Sequence, residues 1–365
     1  MATKCWQRTF GSQILIIITA VLCSCAGPTI KTPTVTKTEI NNENRSQRVE
    51  YVQKLIQEQE KIARLNYQLA ASNIDLCRGN ETLTTGAFLF DWDMTSDEWV
   101  DIANEALGIN LHLPGIEILF VIPGSPAESA GLLPGDRIIR LEDWRIPSQR
   151  GAFAQLFQRL RALKEQKASS IKLRVQRNIE FMDIMVHPKL SCYFPVVLQE
   201  DNSIGAFTDG KIIVVNRGML RFVNDDNELA IVITHEIAHI VLNHIDAMRK
   251  NMVAGYFIGS VLDILLAGAT GVHTSGFSQI GATMGALSYS KDFENEADYY
   301  GAHMLTRAGF DVSYMPAFWR RMSLENPDSM SYNSTHPTTA ERAIRMKKTV
   351  DDIQSKQKAG LPIAP

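Results

Sequence analysis

Residues 233–244 read ITHEIAHIVLNH, and the interpretation of this stretch decides what kind of fold surrounds it. On a helix His235 and His239 are i and i+4, so both imidazoles leave one face about 6 Å apart. Glu236 is rotated by one residue and reaches beside whatever the two rings hold. The wider segment NDDNELAIVITHEIAHIVLNH predicts a helix capped by Asp225 or Asp226, with an apolar body of Leu229, Ile231, Val232, Ile237, Ile240 and Val241. The spacing is that of a zinc protease, and the motif belongs in a buried helix.

A third ligand sets the subclass. A histidine six residues beyond the second would fall on Ile245, and the intervening glycine position is Leu242, so His244 is off by one and does not serve in that pattern. A carboxylate from another helix is the alternative. SKDFENEADYYGAHMLTRAGF offers Glu294 and Asp298, again at i and i+4 on one face. Two histidines and one carboxylate leave a coordination position open for water.

The chain has 365 residues and is 45% hydrophobic, enough for about two domains with buried cores. A net charge of -3, with no concentrated Lys/Arg stripe, gives no electrostatic footprint for nucleic acid, which is not an expected partner. At the amino terminus Lys4 and Arg8 precede an apolar run, Ile14 to Leu22, too short to span a bilayer comfortably and laid out as a secretory signal. Leu22-Cys23-Ser24-Cys25 resembles the bacterial lipobox, which implies lipidation of Cys25 as the first mature residue. Ala26 after it resembles lipoproteins sorted to the outer membrane. Cleavage there would remove Cys5 and Cys23 and leave Cys77 and Cys192 in an oxidising compartment, as one disulfide or as two buried thiols.

From Ala26 to about Asn44 the Thr-, Pro- and Asn-rich sequence has no apolar period and is expected to be a linker. Helical spacing of Val52, Leu55, Ile62, Leu65 and Leu69 predicts one amphipathic helix over 48–71. The segment GIEILFVIPGSPAESAGLLPGDRIIRLEDWRI reads as strand, turn, short helix, turn and strand. It resembles the PDZ domains of bacterial envelope proteases over about residues 95–187. That resemblance implies a carboxylate-binding loop and first groove strand at Leu107, Gly108, Ile109 and Asn110, where backbone N–H groups capture a peptide C-terminus. Phe153, Leu156, Leu160 and Leu163 suit the groove helix, and 171–175 with 181–186 the closing hairpin. Between Asn251 and Ser290 an apolar stretch carries Asp263 mid-run and several glycines. It reads as a soluble helix pair packed through those glycines, with a re-entrant or membrane-surface segment as the alternative.

HEIAH, a Gly/Ala-rich stretch, ENEAD, AGFD and STHPTTAER together resemble the HtpX/BepA-like zinc metallopeptidases, in particular their soluble periplasmic branch. The resemblance implies His235, His239 and Glu294 as ligands of one zinc ion per chain, and Glu236 as the general base. It implies Asp298 as an acceptor for an imidazole N–H, and places His336 and Arg342 in a C-terminal motif. His336 is the candidate donor to the oxyanion, with an ordinary loop histidine as the alternative reading. The family often has Asn before Ala-Phe in its substrate-side strand, where this chain has Gly205-Ala206-Phe207. His112, His187, His273 and His303 are expected bystanders, and His244 a helix-surface residue or a partner of a ligand.

The expected fold is α+β: a mainly helical zincin-type peptidase domain with a small sheet, interrupted by a PDZ-like β-rich domain. The expected organisation is a signal peptide over 1–24, lipidated Cys25 and linker over 25–44, a discontinuous peptidase domain over 45–92 and 188–355, the insertion over 93–187, and a tail over 356–365. The expected function is zinc endopeptidase at the periplasmic face of the outer membrane, lipid-anchored, acting on envelope or misfolded proteins whose exposed C-termini the PDZ-like module recruits. The competing reading is a chaperone-like assembly factor with a latent or structural zinc site.

Overall fold

The computed structural model describes residues 30, 32–90, 96–109, 115–147, 151–270, 275–287, 290–325 and 340–365. Two compact units divide the chain, residues 1–47 and 48–365. The described part of the first is an extended lead followed by the start of helix α1, Lys37–Ser72. This helix begins eleven residues before the expected boundary at 48, inside the segment read as linker. The cause is a capping box: the Thr36 hydroxyl accepts from the Glu39 N–H at 3.2 Å, and the Glu39 carboxylate accepts from the Thr36 N–H at 2.7 Å. The signal peptide and Cys25 lie outside the described residues.

The second unit is α+β. Strand β1 (Glu81–Thr84) leads to β2 (Ala87–Leu89), helix α2 (Asp97–Leu107), β3 (Ile116–Val121), the single turn α3 (Pro126–Ser129), β4 (Arg137–Leu141) and β5 (Trp144–Arg145). Helix α4 (Ala152–Glu165), β6 (Ile171–Arg177) and β7 (Glu180–Val186) follow. Beyond them come β8 (Lys189–Cys192), β9 (Val196–Gln199), β10 (Ala206–Thr208), β11 (Ile213–Asn216) and then helices only. These are α5 (Arg217–Phe222), α6 (Asp226–Val241), α7 (His244–Thr270), α8 (Gly276–Leu287), α9 (Ser290–Arg307), α10 (Met315–Glu325) and α11 (Ala340–Lys358).

Two hydrophobic cores form. One is built from Ile62, Leu65 and Leu69 of α1 together with α6, α9, α10, α11 and the β9–β11 sheet. The other lies inside residues 87–186 and holds Ile118, Leu132, Leu141, Leu156 and Val175. The second core is covered by a sheet of order β2-β3-β4-β6-β7, with β5 paired to β4. Because Ala87 pairs with Val121, β2 is already part of that sheet, and the inserted fold starts before the expected boundary at 93. Its β6–β7 hairpin pairs Ile171 with Val186 and Arg177 with Glu180. The two ends of the insertion meet: Glu81 pairs with Cys192 and Thr84 with Lys189 across β1 and β8. Cys192, at the end of this ladder, and Cys77, just before it, have their Cα atoms 5.4 Å apart and their sulfurs at bonding distance.

The expected peptide-binding loop is a helix terminus. Leu107 is the last residue of α2 and Gly108 its left-handed cap, at φ +64°. The N–H groups of Gly108 and Ile109 both bond to the Asn104 carbonyl, and Ile109 packs with Val100 and Ala103. These donors are spent on closing the helix. Asn110 lies outside the described residues.

In the small sheet β9 and β11 run parallel and β10 pairs antiparallel to β11 as an edge strand. Helix α6 packs against β10 and β11. Asp225 caps α6 by accepting from the Glu228 N–H at 3.1 Å. Glu228, buried in the first turn, is clamped by the Arg321 guanidinium at 2.6 and 2.8 Å and by the Asn224 N–H at 2.6 Å. The Arg321 hydrogen bonds, aided by Asn224, outweigh burial and hold this carboxyl below its ordinary value. The ionised form therefore stabilises the fold above the unfolded carboxylate range, and that contribution disappears as pH falls through the folded pKa. Glu228→Gln is expected to lower the melting temperature at pH 7. The gap from the parent should close as pH falls below about 4. A gap that stays constant or widens in thermal denaturation between pH 7 and pH 3 would contradict this role for the clamp.

Candidate metal centre

Every side chain of α6 from Glu228 to Val241 is buried, so its polar residues need partners inside the protein. Helix α9 supplies them by coming unusually close. A Cβ on Gly301 would stand 3.2 Å from the Thr234 carbonyl and 3.3 Å from the His235 nitrogen, tighter than ordinary packing. Glycine at this position sets the helix separation, and Glu294 and Asp298 project from α9 toward α6.

The three donors expected from the sequence meet. His235 Nε2 and His239 Nε2 are 3.1 Å apart, His235 Nε2 is 3.3 Å from Glu294 Oε2, and His239 Nε2 is 3.4 Å from Glu294 Oε1. All three residues are buried, and among the described residues they form a cluster able to hold a metal ion. Ligand atoms around a tetrahedral zinc with bonds of about 2.0–2.1 Å stand about 3.3 Å from one another. The triangle has the edges such an ion requires.

The surroundings select the tautomers. His235 Nδ1 is 3.1 Å from Asp298 Oδ1, which as acceptor keeps the proton on Nδ1 and leaves Nε2 as a lone-pair donor. Burial works against charge on His235, but the Glu294 and Asp298 carboxylates outweigh it and raise its pKa to about 9. Asp298 is gripped by Arg342, with Nε 2.6 Å from Oδ2 and Nη2 2.8 Å from Oδ1. Burial alone would raise the Asp298 pKa, and Arg342 with His235 brings it below the usual value. Arg342 Nη1 also lies 2.9 Å from Glu294 Oε2, and the guanidinium stacks over Trp319 at 4.7 Å. Arg342 is charged despite complete burial, because these carboxylates overcome the desolvation.

His244 takes the other side. Asn243 adopts a left-handed backbone at φ +57° and turns the chain after α6, which brings His244 Nδ1 to 3.0 Å from His239 Nδ1. Its Nε2 lies 3.0 Å from Glu296 Oε2, and its ring stacks on Phe293. Burial, with His239 adding to it, pushes the His244 pKa down to about 4. A neutral His244 accepts the His239 Nδ1–H and donates from Nε2 to Glu296, so each metal-facing imidazole has an oriented partner. Glu236 is buried on the same helix between the two histidines, 3% exposed.

Glu236, Asp298 and Arg342 therefore join His235, His239 and Glu294 in one buried cluster, while His336 lies outside the described residues. His187 and His303 bond to the Ser169 and Tyr299 carbonyls, and His112 and His273 lie outside the described residues. Gly301, Glu296 and Trp319 escaped the sequence reading. For Gly301 the signal was a lone glycine amid a helical pattern, which marks a close backbone approach.

The sequence model of peptidase family M48 matches residues 165–350, just over half of the chain. The beta-barrel assembly-enhancing protease of Escherichia coli (strain K12) is 28% identical over 181 residues, 46% of this chain and 36% of that protein. The putative beta-barrel assembly-enhancing protease of Vibrio cholerae is 29% identical over 163 residues, 41% and 33% respectively. Metalloprotease YcaL of Escherichia coli is 29% identical over 161 residues, 43% and 61%. The chain spans about a third of the length of the first two. Among solved structures, the HtrA3 PDZ domain bound to a phage-derived ligand aligns with 30% of this chain and 88% of its own, at 17% identity and a TM-score of 0.23.

Asp298→Asn replaces the acceptor for His235 with a group that also donates and removes the charge that holds Arg342. Zinc affinity, measured by competition with a chromogenic chelator, is expected to fall 10- to 100-fold with the circular dichroism unchanged. Unaltered affinity would show that Asp298 does not orient the ligand.

Proposed function

The chain belongs to peptidase family M48, and from that premise we propose that it is a zinc endopeptidase of the bacterial envelope, with His235, His239 and Glu294 holding one zinc ion. The observation that carries this reading is the donor triangle, whose 3.1–3.4 Å edges fit the ion, with Glu236 buried beside it. When bound, zinc would supply Lewis acidity to a peptide carbonyl and acidify water. Glu236 would take a proton from the attacking water and pass it to the leaving amine. Asp298 would hold the His235 tautomer, and Arg342 would keep Asp298 and Glu294 ionised and fixed. His336 remains the candidate donor to the oxyanion.

Edge strand β10, at Ala206–Thr208, offers its outer edge to a substrate backbone by β-addition above the buried helix. A structural zinc site is closed by a fourth protein ligand. It also needs no base, so Glu236, buried on the same helix as the two histidines, favours an enzyme over an assembly factor with a structural metal.

The inserted fold would be a PDZ-like recruiting module, and Cys25 a lipid anchor at the outer membrane. Envelope or misfolded proteins are the proposed substrates, in keeping with the similarity to beta-barrel assembly-enhancing proteases. The bonding distance between Cys77 and Cys192 supports a disulfide in the exported protein, pinning the β1–β8 ladder where the module departs.

Glu236→Gln is expected to keep zinc and fold while casein hydrolysis falls by several decades, since base and charge-stabilisation effects each contribute about 100-fold or more. Undiminished cleavage by a clean preparation would remove the enzymatic reading. Replacing residues 85–188 by an Asn-Gly turn joins Thr84 to Lys189, which already face each other in register. The shortened protein is expected to cleave a short unstructured peptide at nearly the parental rate and a natural protein substrate more slowly, because the module adds effective concentration rather than chemistry. Equal loss of both activities in a folded, zinc-loaded deletion would make the module part of the active site.

A further inference from the structure

Trp319, on α10, meets the buried cluster at two points. Its ring lies against the Arg342 guanidinium, whose Cζ is 4.7 Å from the ring centroid. It also meets the His235 imidazole, with ring centroids 5.2 Å apart and planes inclined by 62°. Arg342 in turn bonds Asp298 at 2.6 and 2.8 Å, and Asp298 Oδ1 stands 3.1 Å from His235 Nδ1. Indole, guanidinium, carboxylate and imidazole therefore form a closed ring of four contacts.

The order of residues on α10 produces this arrangement. Phe318 and Trp319 are consecutive, so their side chains leave the helix about 100° apart. Phe318 is fully buried in the core around α6, while Trp319 is half-buried, and the two rings touch with centroids 5.2 Å apart. Each ring backs a guanidinium that holds carboxylate on a neighbouring helix. Arg321 stands 5.7 Å from the Phe318 centroid and clamps Glu228 of α6. Arg342 stands over Trp319 and grips Asp298 and Glu294 of α9.

The hydrogen bonds of Arg342 leave something for an aromatic face to do. Its Nε, Nη1 and Nη2 all reach carboxylate oxygens, and the N–H groups of a guanidinium lie in its plane. Bonds in the plane do not hold the faces, which are weakly hydrated and stack on aromatic rings. Arg342 also sits in the first turn of α11, where the backbone N–H groups lack partners within the helix, so its position depends on what the side chain touches. His235 has a similar need. Asp298 holds the imidazole at one atom, which fixes the position of Nδ1 and not the tilt of the ring.

We propose that Trp319 is a positioning residue of the metal centre: through Arg342 it fixes the two carboxylates of α9, and by ring contact it fixes the plane of His235. This inference rests on the reading of the cluster as a zinc site. A side chain that only filled space here would be replaceable by another apolar residue, and its effect would not depend on Arg342. A side chain that works through its π face is replaceable by a second aromatic, and loses much of its effect when the cation is gone.

Zinc affinity of the full chain is measured by chelator competition in the parent, Trp319→Phe, Trp319→Leu, Arg342→Gln and the double variant Trp319→Leu/Arg342→Gln, with circular dichroism as the check on folding. Trp319→Leu keeps an apolar side chain without a π face, and is expected to weaken zinc binding about 3- to 10-fold, within the range of a partly buried cation–π contact. Trp319→Phe keeps a face and is expected to stay within about twofold of the parent. In the Arg342→Gln background the loss on Trp319→Leu should be smaller than in the parent. Parental affinity in Trp319→Leu would overturn the proposal and leave the zinc reading in place. So would equal losses in the Phe and Leu variants, or a Leu loss that Arg342→Gln leaves undiminished. If Arg342→Gln does not fold, the comparison of Phe with Leu decides alone. A parent that binds no zinc would overturn the zinc reading and this proposal together.

Discussion

The contact on which the rest of the site depends is that of His235 Nδ1 with Asp298 Oδ1, 3.1 Å apart. It fixes which imidazole nitrogen faces the cluster and ties α6 to α9 at the level where Gly301 lets their backbones approach. Asp298 can play this part only while ionised in a buried site. Arg342, delivered by α11 from 44 residues further along the chain, supplies the compensating charge through two hydrogen bonds. The same guanidinium reaches Glu294. A single buried guanidinium therefore holds both carboxylates of the α9 pair, and α11 is bound into the wall of the donor cluster.

The division of labour between Glu294 and Asp298 follows from geometry. Both lie on one face of α9, yet Glu294 meets the Nε2 atoms of both histidines while Asp298 meets the Nδ1 atom of one. Asp298 thus stands on the far side of the His235 ring from the point that the three donors enclose. His239 receives the equivalent support from His244, the first residue of α7, which Glu296 of α9 holds in turn. Helix α7 begins beside the donor cluster and continues as one arm of the α7–α8 hairpin.

Spacing made the centre of this protein legible. His235, His239 and Glu236 are dictated by a helical period, and the i, i+4 pair at Glu294 and Asp298 offered two carboxylates, between which the family resemblance chose. The α+β class and the inserted sheet were legible too, because GSPAESAGLLPGD carries its turns and caps locally. What escaped depended on contacts distant in sequence or on a cue passed over. The start of α1 was present in Thr36-Lys37-Thr38-Glu39, a capping box masked by the surrounding Thr and Pro residues. The role of Gly301 exists only against Thr234, and that of Glu296 only against His244. Gly108 signals a left-handed turn equally for a ligand loop and for a helix cap, and the Asn104 carbonyl made it a cap. The partners of Asp263, the Phe277 and Ser278 N–H groups, likewise lie on the next helix, out of reach of a sequence reading.

The account stands or falls on the donor set. Zinc K-edge X-ray absorption on the protein loaded with one equivalent of zinc reads that set directly. The predicted first shell contains nitrogen and oxygen only, at about 2.0–2.1 Å, with the outer-shell pattern of two imidazoles, and Glu294→Ala alters it. A sulfur shell near 2.3 Å, or a spectrum that Glu294→Ala leaves unchanged, would contradict it.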